Sequence, residues 1–194
     1  DPNLPVNDLT AVPPNAMAHK NDIPGRQFDK YERWGVAPSI KIGVDGPTSL
    51  SLMVLHQEDN NIPQYGVPYY NGIIAGVDRS DYFGFRNVDR QDIRVDQATA
   101  IFDHQFSDNW SVRNLARSQN IRQLTIDGPP QGTYCLANNV LPTGAACPAN
   151  VPAGYYLIGG PRGNYRDSKN ELMYDQLDLR GNFDTGGIEH TLTL

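Results

Sequence analysis

Tyr31-Glu32-Arg33-Trp34-Gly35-Val36-Ala37-Pro38-Ser39-Ile40-Lys41-Ile42-Gly43-Val44, closed by Asp45-Gly46-Pro47, alternates from end to end. Trp34, Val36, Pro38, Ile40, Ile42 and Val44 fall on one side; Arg33, Gly35, Ala37, Ser39 and Lys41 fall on the other. Period-two alternation is the mark of a strand with one apolar and one polar face. The Asp-Gly-Pro group turns the chain. Beyond it Thr48 to Gln57 continues in the same way, with Leu50, Leu52 and Val54 opposite Ser49, Ser51 and Met53. The segment reads as a long β-hairpin.

The unit recurs downstream. Ile93 to Phe106 sets Ala98, Ala100, Phe102 and Phe106 on one face, turns at Ser107-Asp108-Asn109, and continues from Trp110 to near Ile126. Lys169 to Phe183 sets Met173, Leu177, Leu179 and Phe183 against Tyr174, Gln176, Asp178 and Arg180. It then turns at Asp184-Thr185-Gly186-Gly187 into Ile188, His190, Leu192 and Leu194. A partial strand at Asn15–Lys20 brings the expectation to about seven strands. The connections at 45–47, 107–109 and 184–187 are tight, whereas those at about Asn21–Lys30, Glu58–Asp92 and Asp127–Ser168 are long. Tight and long alternate, so an up-and-down meander gathers every tight turn at one end and every long loop at the other.

Strands of ten residues or more, with this asymmetry of connections, describe an all-β, antiparallel, up-and-down transmembrane β-barrel segment with short periplasmic turns and long extracellular loops. Arg33, Lys41, Arg113, Arg117, Asp178 and Arg180 on the polar faces suit a wet lumen better than a packed interior. A large soluble β-sandwich with those charges on its solvent face is the alternative that the pattern leaves. Barrels of one bacterial chain have eight or more strands, and Leu194 lies within a strand, so a piece of a larger barrel is expected. The Pro-rich residues 1–14 predict no strand and stand apart from 15–194.

Composition narrows the function. The chain has 194 residues, 39% of them hydrophobic, with 18 Gly, 15 Pro and a formal net charge of -6. The apolar share is too high for a disordered chain, and the acidic balance argues against nucleic acid as a partner. No apolar run is long enough for a transmembrane helix, which says nothing against barrel strands. Cys135 and Cys147, twelve apart in a Gly/Pro/Asn-rich stretch, read as a local disulfide and hence an oxidising compartment. A metal pair would need another soft ligand or a His, and none lies between Gln131 and Arg166.

Several runs resemble the TonB-dependent siderophore receptors. They are Asn15 to Arg26, Arg33-Trp34-Gly35-Val36-Ala37-Pro38-Ser39, and above all His56-Gln57-Glu58-Asp59-Asn60-Asn61-Ile62-Pro63-Gln64-Tyr65-Gly66-Val67-Pro68. The last is similar to a strand-to-loop segment of the catecholate-type receptors. Phe102 to Trp110 and Phe183 to His190 are similar to the family's periplasmic hairpins. The resemblance implies the N-terminal part of a 22-stranded barrel in the outer membrane of a Gram-negative bacterium. It further implies ferric (catecholate) siderophore as the transported ligand, no cofactor, outer-membrane lipid around the barrel, and the TonB complex as a partner reached through a preceding region. The plug, the TonB box and the rest of the barrel are not recognisable here. A saccharide or cobalamin cargo on the same fold is the neighbouring expectation, and a soluble β-sandwich adhesin the more distant one.

No enzyme motif is found: no G-x-S-x-G, H-E-x-x-H, P-loop or G-x-G-x-x-G. Gly159-Gly160-Pro161-Arg162-Gly163 lacks the strand–helix context of a phosphate cradle, and His19, His56, His104 and His190 lie on separate strands rather than in one metal set. The long loop Glu58–Asp92 carries the ligand-binding expectation. Tyr65, Tyr69, Tyr70, Tyr82 and Phe85 interleave there with Arg79 and Arg86. Arg offers charge and cation–π contact, and Tyr offers stacking surface with a polar handle, which together suit a flat aromatic anion. The same aromatics could instead pack the loop onto itself or its neighbours.

Overall fold

The computed structural model describes residues 5–7, 10–158 and 163–194; part of the glycine-rich run at 159–163 lies outside them. Every regular element among these residues is a strand: β1 (Pro5–Asn7), β2 (Thr10–Ala11), β3 (Ala16–Asp22), β4 (Lys30–Val36), β5 (Ser39–Ile42), β6 (Thr48–Asn61), β7 (Arg90–Ser107), β8 (Trp110–Asp127), β9 (Pro130–Tyr134), β10 (Tyr156–Ile158), β11 (Asn164–Thr185) and β12 (Ile188–Thr193). All but β9 and β10 join one antiparallel sheet in which long strands pair with their neighbours in sequence. The tight connections at 43–47, 108–109 and 186–187 lie at one end, and those at 23–29, 62–89 and 128–163 at the other. Gly186 and Gly187, at φ 61° and 87°, supply the two positive torsions that a two-residue hairpin turn needs to match strand twist.

The run from Tyr31 to Val44, expected as one strand, is split at Ala37–Pro38, and the Pro-rich start contributes strands where none is predicted. Register explains both. Val36 faces His56 and Ser39 faces Met53, so equal numbers of residues pass on both chains across the break. Likewise Ala11 faces Lys41 and Ala16 faces Val36, with the Ala37 N–H donating to the Asn15 carbonyl in the gap at 2.7 Å. β2 and β3 are therefore one strand and β4 and β5 another. Pro13, Pro14 and Pro38 remove ladder donors without shifting the register. Strands β7 and β11 begin earlier than their apolar alternation does, because charged residues interrupt the pattern while backbone pairing continues. β8 and β11 stay in register from Asn164↔Asp127 to Gly181↔Trp110.

Cross-strand partners share a face, so the ladders test whether the apolar sides of separate strands coincide. They do. Ile40, Leu52, Ala100 and Ala116 form one row, and Ile42, Leu50 and Phe102 another. Near the tight turns this face carries stacked rings, with Trp110–Phe183 centroids 6.4 Å apart and Phe183–His190 5.1 Å apart. This is the aromatic girdle of a barrel's lipid-facing band. From Ala98 to Phe106 the band has the length that a tilted strand needs to cross the hydrocarbon core. Polar side chains within it pair with one another: the Asn114 amide donates to Asp175 at 3.2 Å, and the Thr48 hydroxyl meets His104 at 2.7 Å.

The opposite face is a polar lattice. Arg33 makes two hydrogen bonds to the buried Asp59, Arg117 donates to Thr99 at 3.1 Å, and Gln119 to Gln97 at 3.0 Å. Only Ser49, Asp59 and Thr99 among described strand side chains are buried, so no second sheet covers either side. The sheet is an open arc of barrel wall, and the sandwich reading is set aside.

Candidate functional site

The buried hydrophobic residues among those described are Ile74, Val77, Tyr82, Phe83, Cys135 and Val151. All belong to the second long loop (62–89) or the third (128–163). A barrel wall has no core of its own because its faces meet lipid and lumen. The loops supply one, and so behave as a folded unit on top of the strands.

The second loop is fixed at its base by Asp89, which is only 3% exposed. Its carboxylate accepts from the Tyr82 hydroxyl at 2.8 Å and the Phe85 N–H at 2.9 Å. Gly84 is required beneath them, since a Cβ there would lie 2.0 Å from Asp89 Oδ2. On one flank the first loop (23–29) docks. Gln27 N–H donates to the Ser80 carbonyl at 3.2 Å, Arg26 Nη1 to the Arg79 carbonyl at 2.8 Å, and Phe28 packs on Tyr82 with centroids 5.1 Å apart. Arg26 also pairs with the buried Asp29. The adjoining turn is held by Asp78, which accepts from the Ser80 hydroxyl at 2.6 Å and the Ser80 N–H at 2.7 Å. These two donors, the hydroxyl first, keep its carboxyl below the usual range.

On the other flank the third loop docks through its aromatics. Phe83 meets Tyr156 at 5.2 Å and Tyr134 at 6.5 Å, and the cluster draws in Val67 and Leu136. The β9–β10 ribbon carries both tyrosines. The expected disulfide joins Cys135 to Cys147 at a Cα separation of 5.7 Å, and Cys135 is fully buried. Cys135 N–H donates to the Tyr155 carbonyl at 2.8 Å, tying the crosslink to the base of the ribbon.

Between these two loops opens a cleft of about 370 Å³ whose wall includes Tyr65, Tyr69 and Tyr70 from one side and Thr133, Tyr134 and Tyr156 from the other. Tyr69 is 73% exposed and Tyr70 48%. They stand on a tight turn closed by the Tyr70 N–H to the Gly72 carbonyl at 3.1 Å, with Asn71 in the left-handed region at φ 48°. The Tyr65 hydroxyl is buried, with no partner of standard hydrogen-bond geometry among the described residues. Burial first, and then the neighbouring Asp127 carboxylate, push it well above the ordinary phenol value. Burial and the bond to Asp89 do the same to Tyr82, and burial with the charge of Asp89 to Tyr156. These phenols are neutral donors rather than phenolate ligands.

The expected ligand residues thus divide. Tyr65, Tyr69 and Tyr70 converge on the cleft. Tyr82 is buried in the loop base, and Phe85 covers Gly128, where a Cβ would lie 2.7 Å from its ring. Arg79 is exposed, while Arg86 sits over Phe28 with its guanidinium carbon 5.4 Å from the ring centroid. Arg86 faces the first loop and the tyrosines the third, and among the described residues no Arg or Lys lines the cleft. Sequence reading misses Thr133, Tyr134 and Tyr156; the signal available was aromatics flanking the disulfide-closed segment.

No family model matches the chain. Over its whole length it is 29% identical to "Probable TonB-dependent receptor BfrD" of Bordetella pertussis, covering 25% of that protein. It is 30% identical to "Catecholate siderophore receptor Fiu" of Escherichia coli K12, again over its whole length and covering 26% of that receptor. The open-form crystal structure of Fiu superposes on 97% of this chain and 29% of its own, with TM-score 0.76 and 29% identity. The siderophore receptor PiuA of Acinetobacter baumannii superposes on 97% of this chain and 26% of its own, with TM-score 0.68 and 24% identity, which supports the fold alone. The chain spans about a quarter of the length of these curated relatives, which are named as receptors rather than enzymes. The continuous meander, the lipid-facing band, the folded outer loops and this likeness along the entire chain place it in the TonB-dependent receptor family, as a segment of that family's outer-membrane β-barrel.

Proposed function

We propose that the protein to which this segment belongs takes up a ferric siderophore of the catecholate class across the outer membrane, energised through the TonB complex. In this reading the cleft between the second and third loops is a stacking surface for the cargo's aromatic rings. One observation supports it most: five tyrosines from two loops converge on one open cleft, in a chain that aligns from end to end with a catecholate receptor. Tyrosine rings give faces for stacking and hydroxyls for hydrogen bonds to the cargo. Arg79 and Arg86, outside the cleft, attract the anion rather than coordinate it.

The test is equilibrium binding of a ferric catecholate and a ferric hydroxamate to the full-length protein, followed by fluorescence quenching. Replacing Tyr69 and Tyr70 together with Ala should weaken the catecholate about tenfold, at ~0.5–1.5 kcal/mol for each aromatic contact. Equal affinity for the two iron complexes, or no change in the double variant, would remove the catecholate assignment.

A further inference from the structure

The lipid-facing band is uneven in height. On β7 and β8 the rows Ala98–Ser118 and Ala100–Ala116 carry small side chains, whereas β6 on one side has Leu52 and Val54 and β11 on the other has Met173. The difference in size opens a groove of about 570 Å³ on the outward face. Along β11 Met173 is 88% exposed and Leu177 64%, which makes a ridge beside the groove.

Asp175 is the polar corner of this surface. It shares a row with Ile40, Leu52, Ala100 and Ala116. Between the row Asp96–Asn120–Glu171 and the tight turns it is the one Asp, Glu, Lys or Arg on the outward faces of β7, β8 and β11 among the described residues. A carboxylate facing hydrocarbon is costly unless donors reach it. The Asn114 amide lies 3.2 and 3.3 Å from its two oxygens, but that amide also serves the Gln176 carbonyl at 3.1 Å. One shared amide leaves acceptor capacity on both carboxylate oxygens. At the groove, Ser118 is exposed and carries a hydroxyl donor. One surface thus holds a groove, a ridge of matching chemistry, an acceptor short of donors and a donor.

We propose that this face docks a second copy of the same barrel in the plane of the membrane. Two copies inserted in the same direction are related by a two-fold axis along the membrane normal, so the β11 side of one meets the β7 side of the other. Met173 and Leu177 of each copy enter the groove of its partner, and each Asp175 carboxylate accepts from a Ser118 hydroxyl across the interface. Self-complementarity selects a second copy over an unrelated membrane protein, and a lipid tail could fill the groove but brings no donor to Asp175. The inference rests on the outer-membrane placement of the barrel and not on the identity of the cargo.

The experiment is cysteine crosslinking of the full-length protein in outer-membrane vesicles, with two differently tagged copies, one carrying Ala98→Cys and the other Met173→Cys. Within one chain these positions lie two strands apart, ~10 Å, which is too far for a disulfide, so a bond between them reports on two copies. Copper-catalysed oxidation should give the mixed-tag dimer, and Ile40→Cys in place of Ala98→Cys should not. Asp175→Leu should lower the dimer about tenfold, the worth of two hydrogen bonds made in lipid. Ala100→Trp, which fills the groove and stays apolar, should abolish it. Heat-modifiable mobility shows that each variant is inserted before crosslinking is scored. Equal crosslinking from Ile40→Cys, indifference to both Asp175→Leu and Ala100→Trp, or crosslinks to another protein in place of a second copy would each overturn the proposal.

Discussion

The Tyr82 hydroxyl donates to Asp89 at 2.8 Å, and this bond joins the end of the second loop to the residue that precedes β7. Replacing Tyr82 with Phe keeps the ring on Phe28 but leaves a buried carboxylate with one donor fewer. That should cost ~1–3 kcal/mol, confined to the loops. Hydrogen exchange should quicken across 62–89 while β7 and β8 keep their protection. Faster exchange in the strands instead would mean the loop base supports the wall.

Alkaline pH should open the same region. The phenols of Tyr65 and Tyr82 are raised from their ordinary value of 10.0. Below that value both the folded and the opened loop hold the proton, and stability is unaffected. Above it the opened loop releases protons that the folded one retains, so stability falls as pH rises. Loop exchange should therefore increase above about pH 10, accompanied by tyrosinate absorbance and before the strands unfold. Simultaneous loss of loop and wall would contradict this.

Removing the disulfide with paired Cys135→Ala and Cys147→Ala should cost the third loop ~3 kcal/mol in the chain-entropy account of a loop this size. The tyrosines of β9 and β10 would then hold their wall of the cleft less firmly. Ligand affinity should drop with the amount of inserted barrel unchanged. A fall in inserted protein would instead assign the crosslink to assembly.

Arg at position 34 or 40, in place of Trp34 or Ile40, would put a charge on the outward face. The penalty is ~2–4 kcal/mol at mid-bilayer and less toward the interface, so Ile40→Arg should reduce insertion of the full-length protein more than Trp34→Arg. Heat-modifiable mobility on gels reads it. Normal insertion of both variants would mean that lumen and lipid faces have been exchanged.

Alanine at Arg79 and Arg86 together should slow association of an anionic iron complex, most visibly at low salt, with assembly unchanged. An association rate insensitive to both the substitutions and ionic strength would confine recognition to the cleft.

Alternation made the long strands legible, because each lies between two chemically different media and every residue must suit one of them. The Cys pair was legible for an equally local reason. The cleft was not. Tyr65, Tyr69 and Tyr70 meet Tyr134 and Tyr156 only because Phe83 docks the third loop on the second, and no periodicity encodes such a long-range contact. Nearness in sequence does not carry into the fold either: Arg86 neighbours the tyrosines along the chain, yet it sits over Phe28 on the opposite flank. Pro13 and Pro14 hid a strand, since their missing donors look like an interruption of structure although the register runs past them.

Those prolines have a consequence for biogenesis. A barrel inserted strand by strand exposes its newest edge until the neighbour arrives, and a bare edge can be captured by any extended chain nearby. At Pro13 and Pro14, facing the break at Pro38, this hairpin offers an intruder an incomplete row of donors. Its own partner is already placed by the flanking pairs on both sides of the gap. The interruption thus acts as a gatekeeper, tolerating the correct neighbour and discouraging mispaired aggregates.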